Sequence, residues 1–163
     1  MGPRVNFPSR RIFMKKIIVL LLLCLLSFGL LISCSDSSDN LPPISEAPRS
    51  QRIAAGTALQ AVTDIIYDYG FSGILTPNVT VSGDQRTYTF ANAERNVTID
   101  YIDYTVNLTG TLVAENDSKV VIDLSVVRTV TASGTYYCTL YVVSDDSKTK
   151  KIILNGTEYD PSK

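Results

Sequence analysis

The 163-residue chain has no histidine. That absence removes the commonest general base and the commonest metal ligand together. Other nucleophilic devices are missing too. No serine lies in a nucleophile-elbow glycine pattern, and a thiol at Cys138 would have no imidazole to activate it. Phosphate-cradling loops, dinucleotide glycine patterns and calcium-loop spacings are all absent. The sequence therefore assigns no catalytic, cofactor-binding or metal-ligating residue, and no cofactor.

Carboxylates remain as the only acid–base groups worth weighing. Asp64 and Asp68 are four apart on a predicted helix and share a face, which suits a solvated surface better than a paired acid site. Asp100 and Asp103 flank Tyr101 in what reads as a strand, so they would point to opposite faces. Asp145 with Asp146, and Asn116 with Asp117, fall in turn clusters where such residues are ordinary. A hydrolase working through carboxylates alone is the least favoured reading.

The amino-terminal end carries the strongest signal. Met14-Lys15-Lys16 precedes an apolar run from Ile17 to Ile32, interrupted by Ser27 and Gly29, and Ser33-Cys34 follows. Two lysines, a greasy segment and a small residue before a cut make a secretory signal. The run has 16 residues, whereas a membrane-spanning helix needs about 20. Leu31, Ile32, Ser33 and Cys34 resemble the lipobox of bacterial lipoproteins, cleaved by signal peptidase II before a cysteine that receives lipid. The resemblance covers only the first 40 or so residues. It implies a signal peptide over 1–33, a palmitate-type fatty-acyl anchor on Cys34, and residence in the cell envelope. Ser35, where aspartate would imply inner-membrane retention, implies the outer membrane. Translation from Met14 would give a more ordinary signal, so residues 1–13 read as a start-site artefact.

Removal of residues 1–33 takes five of the 15 basic residues (Arg4, Arg10, Arg11, Lys15 and Lys16) and none of the 16 acidic ones. The mature net charge becomes −6, which disfavours nucleic acid as a partner. Cys24 leaves with the signal and Cys34 takes the lipid, so Cys138 has no disulfide partner. The fold must stand on packing alone.

Residues 34–49, with Pro42, Pro43 and Pro48, read as the lipidated cysteine and a flexible tether. Residues 50–163 read as one α+β domain. An N-terminal amphipathic helix is expected from a Ser50 cap to about Tyr69, ended by Gly70. Ala55, Ala58, Leu59, Val62, Ile65, Ile66 and Tyr69 form its apolar stripe, with Gln60, Thr63, Asp64, Tyr67 and Asp68 largely opposite. Beyond Gly73, alternating residues and short turn clusters predict an antiparallel meander of about six or seven strands, its dry face against the helix.

Two binding readings follow. In the first, the domain is a non-enzymatic binding or scaffolding module for an envelope protein or glycan. Tyr137, Tyr141 and Val143 offer a possible partner surface, since they lie opposite Tyr136, Cys138, Leu140 and Val142 on a strand that is apolar on both faces. In the second, a curved sheet and the Ala-rich helix enclose an apolar ligand in a cavity lined by Leu108, Leu112, Ile122 and Leu124.

Overall fold

The computed structural model describes residues 41–72, 78–116, 118–130, 133–146 and 148–162, with the backbone alone over 69–72. The signal sequence, the lipobox Leu31, Ile32, Ser33 and Cys34, and the first part of the tether lie outside the described residues.

Seven strands follow one helix. They are β1 (Asn78–Ser82), β2 (Gln85–Ile99), β3 (Ile102–Glu115), β4 (Lys119–Val130), β5 (Gly134–Asp145), β6 (Lys148–Leu154) and β7 (Thr157–Tyr159). They form one sheet in sequence order, every neighbour antiparallel. Connections this short leave no other pairing open. The expected meander is present at the upper end of the expected strand number.

The helix α1 (Arg49–Ser72) packs on β2, β3, β4 and β5. Two parts of the expectation need correcting. The helix is not the N-terminal element, and the class is mostly β, with strand residues far outnumbering helical ones. Ahead of α1, Pro43 pairs in parallel with Asp160, and a single 3-10 turn covers Ile44–Glu46. The amide of Asp160 donates to the Pro42 carbonyl at 2.8 Å, and that of Ile44 to the Asp160 carbonyl at 3.1 Å. Ile44 and Ala47 are buried. Residues 41–48, which the prolines mark as tether, thus form a strap pinned to Asp160 just past β7.

The helix also starts and stops differently. Gln51 and Arg52 donate their amides to the Pro48 carbonyl at 2.9 and 3.1 Å, so the first turn begins ahead of Ser50. At the other end, Gly70 lies within the helix, which runs on to Ser72.

Burial around α1 explains the shape of the sheet. Ala54, Ala55, Ala58, Leu59, Ala61, Val62, Ile65 and Ile66 are buried, and so are Thr57 and Thr63. At about 100° per residue these positions sweep roughly 240° of the helix surface. Between the first turn and Tyr67, a narrow strip of Ile53, Gly56, Gln60, Asp64 and Tyr67 reaches solvent, and Asp68 is exposed beyond it. A flat sheet cannot cover so much of a helix, so the sheet curls around it. Thr63, expected on the wet side, is buried because its hydroxyl donates to the Leu59 carbonyl at 2.8 Å. Thr57 is satisfied in the same way, through the Ile53 and Ala54 carbonyls.

Candidate functional site

The strands run between two ends. At the strap end lie the β1–β2, β3–β4 and β5–β6 hairpins. Their backbones are tied to each other: Asn116 donates its amide to the Asp84 carbonyl at 3.4 Å, and Asp146 to the Ser118 carbonyl at 3.0 Å. At the distal end lie the β2–β3 hairpin, the β4–β5 connection and the last turns of α1.

The predicted partner residues do share a face. Tyr137 is 70% exposed, and Tyr141 and Val143 are half-buried on the outer side of β5. Cys138, Leu140 and Val142 point inward and are buried by α1. The strand is thus apolar on both sides but dry on one: the helix covers the inner side, and the outer side is open. Register extends the open surface beyond the three residues. Val143 stands opposite Val121, and Val121 opposite Val113. Tyr137 stands opposite Val127, and Tyr141 opposite Asp123 and Ile153. The sequence does show Val113, Val121 and Val127 at outward positions. What hides the surface is that the residues joining it are far apart in the chain.

The distal end adds more exposed apolar area. Tyr101 is fully exposed, and Tyr67 and Ile102 are about half exposed. Tyr101 sits in the two-residue turn Asp100-Tyr101, both with positive φ (52° and 65°). This corrects the strand expected there, because paired positive φ values are what a tight hairpin requires. Inside this end, Arg128 lies over the rings of Tyr104 and Tyr136 at 5.2 and 5.4 Å from their centroids. Its Nε is buried and makes no hydrogen bond, so the ring faces serve as its partners.

Among the described residues, Asp64, Asp68 and Asp103 have separate partners. Asp64 accepts from Gln60 Nε2 at 2.8 Å, whereas Asp68 pairs with Arg95 on β2. Asp103, the second residue of β3, accepts from the hydroxyl of its cross-strand partner Thr98 at 2.6 Å, just behind the Asp100 turn. At the strap end, hydrogen bonds from Lys119 and Gln85 hold the Glu115 carboxyl below its usual range. Among the described residues, no group of acidic and cysteine side chains is placed to hold a metal ion. Also among them, no helix is long and apolar enough to cross a membrane.

Burial pushes the Cys138 thiol up to about 11, with the positive charge of Arg128 pulling weakly the other way. A thiol held neutral is no nucleophile. Comparison with protein families, with curated proteins and with solved structures finds no match to this chain.

Proposed function

We propose that the chain is a lipid-anchored lipoprotein of the cell envelope whose domain is a non-enzymatic binding or scaffolding module. The anchoring part rests on the lipobox ending at Cys34. Two or three acyl chains make such an anchor durable where one alone does not. The binding part rests on one observation: the outer face of β3–β6 carries Tyr137, Tyr141, Val143, Val113, Val121 and Val127 with no element of the described fold over it. Aromatic side chains with a polar tip give such a surface contact area at small conformational cost. An envelope protein or glycan is the partner such a face suits, with the outer membrane as the location.

The carrier reading has less behind it. Leu108, Leu112, Ile122 and Leu124 are 0–1% exposed. They belong to the same buried cluster as Ala58, Leu59 and Ile66 of the helix, which favours a packed interior over a binding cavity. The carboxylate hydrolase has less behind it still, since Asp64, Asp68 and Asp103 each have a different partner.

Metabolic labelling with a fatty-acid probe tests the anchor. Wild type takes the label and Cys34→Ser does not, and label persisting in the variant would overturn the assignment. Tyr137→Ala/Tyr141→Ala tests the face. Envelope components retained by wild type should be lost from this variant while its unfolding midpoint stays within error. Equal retention by both would refute the surface.

A further inference from the structure

We infer that the strap end of the domain is its bilayer-facing end, and that the distal end, with Tyr67, Tyr101 and Ile102, is presented away from the membrane. The inference rests on the lipid-anchor reading of Cys34. What the fold adds is where the leash is fastened. A tether running to residue 49 would let the domain roam, but the hydrogen bonds of Pro42 and Ile44 to Asp160 fix the chain much earlier. Only seven peptide steps separate Cys34 from Leu41, and whatever path they take they reach at most about 25 Å.

Register then sets the distances. Tyr159 is opposite Ile152, which is opposite Val142, which is opposite Ile122. Pro43 pairs with Asp160, one residue past Tyr159, and the strap runs parallel to it. The leash therefore enters at Leu41 about level with Tyr141 of β5, while Ser133 lies eight residues, about 26 Å, further along the sheet. The distal end stands at the limit of a fully extended leash. The mature chain, at −6 by the count above, has no electrostatic attraction to an anionic bilayer that would lay it flat. The domain stands on its strap.

Energy transfer to a headgroup acceptor in vesicles tests this with the full lipidated protein. Ser45→Cys and Ser133→Cys place near-isosteric, exposed labelling sites at the two ends. The native Cys138 is buried and is spared by the label. Transfer from position 45 should exceed transfer from position 133 at least threefold. Equal transfer, or more from position 133, would overturn the orientation while leaving the anchor intact. A flexible 14-residue insertion between Asn40 and Leu41 should erase the difference with fatty-acid labelling unchanged. A difference that survives the insertion would show that the leash does not set the orientation. If neither acyl label nor transfer is seen, the anchor itself fails and the orientation with it.

Discussion

Cys138 is a buried thiol whose surroundings make its proton hard to remove. It is 4% exposed on the inner face of β5, and its thiol donates only to the Thr139 carbonyl at 3.4 Å. In the unfolded chain the thiol loses its proton near 9.0, whereas in the fold it holds on to about 11. Between those values the native state binds more protons than the unfolded one, so stability falls as pH rises through the window. Below it the contribution is complete. Urea midpoints measured from pH 8 to 11 should therefore fall more steeply for wild type than for Cys138→Ala. The difference isolates this group from tyrosines and lysines that titrate nearby. Parallel curves would show that the site is wetter than its burial implies.

At the scale of elements, the curl of the sheet has two local causes placed side by side. Register slips between Phe90 and Ala93 of β2, where Asn92 takes a positive φ of 52°. Directly across, Gly110 of β3 has φ +140°, and a Cβ there would overlap the Asp123 carbonyl oxygen of β4. A bulge bends one strand, and the missing side chain lets the next backbone follow it. Gly110→Ala forces the sheet to open, and we expect a loss of about 3 kcal/mol or more in urea unfolding. A loss below about 1 kcal/mol would mean the sheet bends elsewhere. This is also where legibility in the sequence ends. The meander reads clearly, because period-two alternation and short turns are local properties. So does the Tyr137, Tyr141, Val143 face, since parity along one strand decides it. The degree of curl does not read, because it arises between strands, and neither does the burial of Thr57 and Thr63. A threonine looks polar in sequence until its hydroxyl is seen to bond within its own helix. The Asp100-Tyr101 turn escapes because tyrosine is a poor hairpin residue, tolerated here only where its ring can project freely into solvent.

For the whole molecule, the decisive fact is that the chain closes on itself. The stretch just before α1 and the stretch just after β7 hold each other, and the strap leads directly into the buried helix. Ile44 and Ala47 join the same core as Leu59, Leu140 and Leu154. A fragment 50–163, cut where the sequence alone suggests a domain boundary, loses Ile44, Ala47, the first residue of α1 and the hydrogen bonds to Asp160. Burial of one Ile side chain is worth about 2 kcal/mol, and the unpaired Asp160 backbone adds about 1–3 kcal/mol if it stays dry. The fragment 41–163 should therefore unfold at a clearly higher urea concentration than 50–163. Its far-UV circular dichroism and tyrosine fluorescence should change together, because a helix enclosed over most of its surface cannot melt ahead of the sheet around it. Equal midpoints would reduce the strap to a passive leader. Separated transitions would show that helix and sheet are held less tightly than the burial of Ala54 to Ile66 requires.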